Sequence, residues 1–472
     1  MCPSCACTRA TSPRKPRTIF PWSPAGTRAG DLTFVTGHPG RTSRLKTVAE
    51  LESFRGGGLL RRLLWLSELR GALAEYAHRG AEQARHSKTW LFYVENGLKA
   101  YRGEAQALFE PALLEAKRAA EKALRARVAA DPKAKDAIGA WDAIAKAVQR
   151  GEALQVRYDL IERGRGFQSD LFGHARTLVR LAAEKAKPNE ERLREYTDGN
   201  LPAVEAELLS AAPLYDEFEI FKLGWTLTRL REQLGPDDAL VKQVLGKETP
   251  DAVAARLVKG SGLKDPAARK ALLEGGAAAI AASQDPFIAL AKAIDAEARA
   301  VRKTYEDEVE APIRKSHELI ARARFAVEGT GRYPDATFTL RLSYGAVKGW
   351  PEGGREVEPY TTIGGAFTRH TGAEPFALPA SWLSKKDKLD LATPFNLVTT
   401  NDIIGGNSGS PVIDREARIV GLIFDGNIHS LGGDHGFDAR LNRAVAVDSR
   451  AILHALDRVY GATALVKELS GR

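Results

Sequence analysis

The apolar side chains of this chain change their spacing twice, and no other feature of its 472 residues constrains the fold as strongly. From about Thr47 to about Val327 they recur every three or four positions, the period of helices that bury one face. Phe109, Leu113, Ala120, Leu124 and Val128 make one such stripe, which Pro132 closes. A longer stripe opens at Asp285-Pro286, a side-chain cap followed by proline at the first helical position. It continues through Phe287, Leu290, Ile294, Ala298, Val301, Tyr305 and Val309. The block carries no fixed-period repeat, which argues against a solenoid. Before it, Asp31 to Thr36 (DLTFVT) reads as a short strand ended by the turn Gly37-His38-Pro39-Gly40. After Gly329 the period becomes two: Phe338, Leu340, Leu342 and Tyr344 alternate with polar residues. Short strand-like runs continue to about Val447, with a hairpin at Val412-Ile413 and Ile419 to Phe424, and a helix at about Ser449 to Tyr460 closes the chain. The fold class is α+β, with a large helical block inserted into a β fold.

Composition narrows the function classes. The formal charge of +9 is modest, and Lys and Arg interleave with Glu and Asp along the helical stretches. That is the pattern of solvated helix faces; no basic stripe with interleaved aromatics points to nucleic acid. No apolar run reaches the length of a membrane span. The three cysteines, Cys2, Cys5 and Cys7, sit together, with no downstream pair to complete a four-ligand metal site, so neither a metal nor a disulfide framework is expected. No Walker, dinucleotide or HExxH motif occurs, and no cofactor is implied. The N-terminus lacks the apolar stretch of a signal peptide.

The strongest local signal is Gly405-Gly406-Asn407-Ser408-Gly409-Ser410-Pro411-Val412. Acyl transfer needs an exposed hydroxyl on a tight turn and backbone N–H groups aimed at the developing oxyanion. Ser408 is therefore the candidate nucleophile, with the N–H groups of Gly406 and Ser408 as the oxyanion hole. Glycines 406 and 409 permit the turn.

With Gly37-His38-Pro39-Gly40-Arg41-Thr42 and Arg44, Val94 to Lys99 (VENGLK), Tyr333 to Trp350, Thr400 to Ile403 (TNDI) and Gly421 to Ser430 (GLIFDGNIHS), this motif resembles the bacterial dipeptidyl-peptidase 7/11 family of serine peptidases. The resemblance implies a chymotrypsin-like double β-barrel with an inserted α-helical domain. It also implies release of dipeptides from oligopeptides with a free N-terminus, in the periplasm or at the cell surface, and leaves a homodimer open. By position, Asp425 matches the carboxylate that pairs with the substrate's α-ammonium group, and Asn96 the amide that binds the same group. Gly426 matches the floor of the pocket for the substrate's second residue. Glycine there goes with hydrophobic preference and arginine with acidic preference in that family. Plainer readings stand beside these, a turn carboxylate for Asp425 and a helix-interior or capping residue for Asn96.

The expected division is an irregular segment 1–28, a remnant of the first barrel at 29–47, a helical domain at 48–327 and a C-terminal barrel at 328–472. In that family the catalytic His and Asp precede the segment resembling Gly37 to Gly40. Here the residues before Gly37 include no His and one Asp, Asp31. The expectation is therefore a chain short of its first barrel, lacking two triad members, inactive alone and exposing apolar surface near Phe34 and the C-terminal barrel. Of nine histidines, His370, His429 and His435 lie in the β segment, where they could approach Ser408. The rival reading is a non-catalytic peptide-binding relative.

Overall fold

A computed structural model describes residues 19–331 and 333–471. The cysteine cluster and most of the segment 1–28 lie outside the described residues. Two compact units are present. One holds the described residues of Met1–Lys46, Ala100–Lys117 and Arg332–Arg472; the other holds Thr47–Lys99 and Arg118–Gly331. The expected helical block at 48–327 therefore gives up residues 100–117 to the sheet-bearing unit. There Gly103 lies against Leu431 and Gly432 against Ala107, contacts a larger residue at either glycine would prevent.

The sheet-bearing unit is built on nine strands: β1 (Leu32–Gly37), β2 (Arg341–Ala346), β3 (Trp350–Glu352), β4 (Arg355–Val357), β5 (Tyr360–Thr362), β6 (Pro394–Thr399), β7 (Pro411–Ile413), β8 (Ile419–Gly426) and β9 (Ala444–Asp448). Seven form one antiparallel sheet in the order β2-β1-β7-β8-β9-β6-β5, while β3 and β4 make a separate hairpin. The end of β2 meets the end of β6 through a Val347–Thr399 bridge and the bond from Thr400 N–H to the Ala346 carbonyl, 2.9 Å. The sheet thus curls on itself. Val35, Val347, Leu397, Val412, Val420, Ile423, Ala444 and Ala446 fill its interior.

One expectation is corrected here. β1 is not a remnant of another barrel: it is hydrogen-bonded between β2 and β7, in the sheet that carries Ser408. The alternation at β2 marks a strand, but its apolar face points outward. Leu340, Leu342 and Tyr344 are 66%, 64% and 76% exposed. The inward side is claimed by a polar plug. Buried Asn401 accepts from Thr33 Oγ1 at 2.8 Å and donates to the Ser343 carbonyl at 3.1 Å, and a side chain at Gly345 would meet the Asn401 backbone at 2.6 Å. Exposed apolar surface does lie near Phe34, as expected: Tyr344 on β2 stands directly opposite half-buried Phe34 on β1.

The helical unit packs around Phe167, Leu171, Phe172, Leu178, Leu223, Leu227, Phe287 and Ile288. The helix Pro286–Tyr305 begins as its sequence dictates: Asp285 accepts from the N–H groups of Phe287, 2.9 Å, and Ile288, 3.4 Å, with Pro286 in the first turn. Its far face joins an ion network the periodicity does not show. Arg180, buried, donates to Asp295 at 2.7 Å and to both oxygens of Glu162 at 3.0 and 2.6 Å. Glu184, fully buried, accepts from Leu193 N–H, 2.8 Å, Lys187, 2.9 Å, and Arg299, 2.6 Å. Burial alone would raise the Glu184 carboxyl, but these three donors hold it down at about 2.

Breaking one partner of a buried ion pair strands the others in a medium that solvates them poorly, at roughly 3 kcal/mol. Arg180→Met is therefore expected to lower the melting temperature of the helical unit by several degrees. An unchanged melt would show that the network adds nothing to stability.

Candidate active site

Between β6 and β7 the chain makes a turn whose shape is fixed from three sides. Gly406 and Gly409 have φ of +106° and +83°, values that side-chain-bearing residues avoid. Inside the turn, buried Asn407 donates its N–H and its side-chain amide to the Ile404 carbonyl, both at 3.1 Å, and Ser410 N–H donates to the Asn407 carbonyl at 2.8 Å. On the β8 side, Gly409 N–H donates to the Ile423 carbonyl at 2.7 Å and Ile423 N–H to the Ser410 carbonyl at 3.0 Å. Ser408 is exposed at the tip, and its hydroxyl has no hydrogen-bond partner among the described residues.

On the remaining side lies the loop that follows β1. Gly40 N–H donates to the Gly405 carbonyl at 2.7 Å. A Cβ at Gly406 would lie 2.5 Å from the His38 carbonyl oxygen, and one at Gly40 would lie 2.6 Å from the Gly405 oxygen. Both positions are glycine because two backbones touch there. Asp335 holds this loop: its carboxylate accepts from Thr42 Oγ1, 2.5 Å, Arg44 N–H, 2.8 Å, and Leu45 N–H, 2.9 Å. The Arg44 guanidinium grips Asp402 in a two-pronged pair, one bond at 2.9 Å, and Tyr333 OH donates to the same carboxylate at 3.1 Å. Four of the sequence segments singled out above thus meet in one network: Gly37 to Arg44, Tyr333 to Trp350, Thr400 to Ile403, and the serine turn. What sequence reading missed is the work of Asp335, Arg44, Asp402 and Gly40. Each is an ordinary loop residue until its partner is known.

The histidines that could have served Ser408 are engaged elsewhere. His370 Nδ1 accepts from Leu378 N–H at 2.9 Å, His429 Nε2 lies 2.6 Å from Glu352, and buried His435 lies 3.6 Å from Glu104. Asp425 is exposed near the end of β8 and accepts from Gly426 N–H at 2.9 Å. Gly426 pairs with Ala444, and the place its side chain would take is filled by Ser430, with Cβ at 2.7 Å and Oγ at 3.1 Å. Asn96 belongs to the other unit. It lies in the middle of the helix Ala81–Phe109, exposed, while Val94 and Leu98 face the core; it is not a cap. One turn earlier on its side stand two exposed aromatics, Phe92 and Tyr93. Among the described residues, no group of three His, Cys, Asp or Glu could hold a metal ion, and no helix is long and apolar enough to cross a membrane.

The turn thus presents an exposed serine hydroxyl between two positive-φ glycines. The Peptidase S46 family model matches residues 5–471, and the chain belongs to that family of peptide-bond hydrolases. It is 28% identical over 505 residues to an Asp/Glu-specific dipeptidyl-peptidase of Shewanella putrefaciens, an alignment covering 97% of this chain and 67% of the relative. A shorter stretch of 147 residues, 29% of this chain and 20% of the relative, is 40% identical to dipeptidyl-peptidase 7 of Phocaeicola vulgatus. Among solved structures, DPP11 of Porphyromonas endodontalis in complex with the dipeptide Arg-Glu superposes with a TM-score of 0.75 at 20% identity, covering 97% of this chain and 67% of that one. The fold is therefore shared, and this chain spans about two thirds of the length of the Shewanella relative and of the Porphyromonas structure.

Close to the loop after β1, Asp434 accepts from Ser43 N–H through its carbonyl at 2.7 Å. Burial and the neighbouring Glu104 carboxyl push the Asp434 carboxyl up to about 6, against the opposing pull of His435 and Arg41. A carboxyl whose value is raised on folding stabilises the fold in its protonated form. That contribution is complete below about pH 4 and is lost as pH rises through 6, up to about 3 kcal/mol in all. Asp434→Asn should remove this slope. An equal loss of stability between pH 4 and 6.5 in both proteins, measured by urea unfolding, would exclude Asp434 as its source.

Proposed function

We propose that this chain is a serine-type dipeptidyl-peptidase sequence acting on oligopeptides with a free N-terminus. The observation that carries the reading is the serine turn itself: an exposed, unpartnered hydroxyl on a turn braced from three sides, in a member of the peptidase S46 family. In this reading Ser408 attacks the carbonyl of the second peptide bond. The oxyanion settles on the N–H groups of Gly406 and Ser408, the amine leaves, and water releases the dipeptide from the acyl-enzyme. Asp425 holds the α-ammonium group of the substrate, which fixes the cut two residues in. A buried or partly buried ammonium needs such a partner.

The chemistry also needs a proton acceptor, and the described residues place no imidazole on Ser408. Without triad partners, an oxyanion hole and substrate binding still leave roughly 10³–10⁴-fold catalysis over water. The 472-residue polypeptide is thus expected to bind dipeptides with free amines while releasing them from oligopeptides at a small fraction of an ordinary peptidase rate. Calorimetric titration with Val-Leu and its N-acetyl form tests the first half. Binding of the free amine alone, weakened at least tenfold by Asp425→Asn, is expected. Equal binding of both forms would refute the amine site. Dipeptide release at an ordinary rate would show that His370, His429 or His435 moves to serve as the base.

The two kinds of relative differ in preference, and the chain is similar to both. We propose a hydrophobic second residue, because Gly426 offers no charge to an acidic one. Ser430 closes the space behind Gly426, so a guanidinium introduced there needs room. Gly426→Arg in a Ser430→Gly background should shift the affinity ratio of Val-Leu to Val-Asp toward Asp by tenfold or more, through a bidentate pair. A parent chain that already favours Val-Asp, or an unmoved ratio, would remove Gly426 from that pocket.

A further inference from the structure

We infer that the bond from Gly40 N–H to the Gly405 carbonyl is the latch that aims the Gly406 N–H at the oxyanion, and that Asp335 is the positioning residue that holds the latch closed. The inference rests on the proposed role of Ser408 and goes beyond it to the device that arms the turn.

The Gly405 carbonyl and the Gly406 N–H belong to one peptide plane. That peptide is trans, so the two groups point in opposite directions, and fixing one fixes the other. A glycine-glycine peptide has little steric preference of its own and can rotate as a plate between two orientations. Only one of these presents the Gly406 N–H on the Ser408 side. Gly40 engages the Gly405 oxygen at 2.7 Å from the opposite side, and the His38 carbonyl and Gly40 backbone fill the space a Cβ at Gly406 would need. The plate is therefore held by the loop after β1, and by nothing within the serine turn itself: the bonds inside that turn involve Ile404, Asn407 and Ser410.

What keeps Gly40 in place is Asp335. Its two carboxylate oxygens collect Thr42 Oγ1, Arg44 N–H and Leu45 N–H, and Thr42 Oγ1 in turn accepts from Ala336 N–H at 2.9 Å. Phe338, in a positive-φ conformation of +62°, donates its N–H to the Pro39 carbonyl at 3.0 Å. Strained backbone of this kind persists only where its surroundings fix it. The segment 335–338 thus grips the loop on both flanks of Gly40. Asp335 touches neither substrate nor nucleophile in this account; it acts through Gly40.

The test is the rate of covalent modification of Ser408 by a fluorophosphonate, followed by mass spectrometry over hours in the full chain, with the maximal rate and the half-saturating concentration measured separately. Hydrogen exchange of amides 40–45 and 407–410 is followed in the same proteins. Gly40→Ala, which drives a methyl group against the Gly405 oxygen, should cut the maximal rate at least tenfold and leave the half-saturating concentration unchanged, because a lost oxyanion donor is felt only at the reacting centre. Asp335→Asn should cut the rate about threefold to tenfold and speed exchange at 40–45, with Asp335→Glu recovering part of both. Thr42→Val removes the two bonds of its hydroxyl, leaves the Arg44 and Leu45 bonds to Asp335, and serves as the mild variant if Gly40→Ala does not fold. Unchanged maximal rates with folded variants would overturn the latch. If the parent chain takes no adduct at Ser408, the nucleophile reading fails on its own, and exchange decides: unchanged exchange at 407–410 in Gly40→Ala also overturns the latch.

Discussion

Two backbones in van der Waals contact, at Gly40 and Gly405-Gly406, are what the sheet-bearing unit is organised to maintain. The serine turn uses left-handed glycine conformations that the chain does not favour by itself, so its shape has to come from outside. It comes from residues far away in sequence. The loop after β1 supplies the donor, the segment before β2 supplies the carboxylate, and Thr400 to Ile404 supply the partner of Arg44. The same contacts solve a second problem. Nearly three hundred residues intervene between Leu45 and Asp335, and the bond from Leu45 N–H to the Asp335 carboxylate, 2.9 Å, brings the two ends of that insertion together. Loop-closure cost grows only slowly with length, so joining these two ends costs little more than closing a much shorter loop.

Charge is handled differently in the two units. In the helical unit, Arg180 and Glu184 are buried but fully met by opposite charges and backbone donors, which is the condition under which buried ions are tolerated. In the sheet-bearing unit, buried Arg443 meets carbonyl oxygens instead, among them Lys348, Gly349 and Ala439, and so knits the strand after β2 to the segment before β9. That guanidinium is saturated by backbone. It has no donor left over for a further partner.

Much of this was legible in the sequence, and the reason is local. The helix at Pro286 begins where an aspartate cap and a proline say it must, and the serine turn follows from two glycines at positive φ on either side of Asn407-Ser408. The failures are all long-range. The strand Leu32–Gly37 was assigned to another barrel because pairing partners three hundred residues away leave no trace in six residues of pattern. Alternation at Leu340, Leu342 and Tyr344 identified a strand but not its inward face, since the interior there is occupied by Asn401 and not by an apolar residue. Asp335 and Asp402 read as ordinary loop carboxylates, because a hydrogen-bond acceptor acquires meaning only from the donors the fold brings to it. At position 426 the sequence shows what a glycine lacks and not that Ser430 stands behind it.

The central claim is that the turn around Ser408 is an armed nucleophile site, and the most direct measurement is a crystal structure of the chain with a peptide boronic acid carrying a free N-terminus. The account predicts a bond from Ser408 Oγ to boron, one boronate oxygen about 2.7–3.1 Å from the N–H groups of Gly406 and Ser408, and the Gly405 carbonyl still on Gly40. A boronate bound without a bond to Ser408, or a Gly406 N–H turned away from it, would contradict the account.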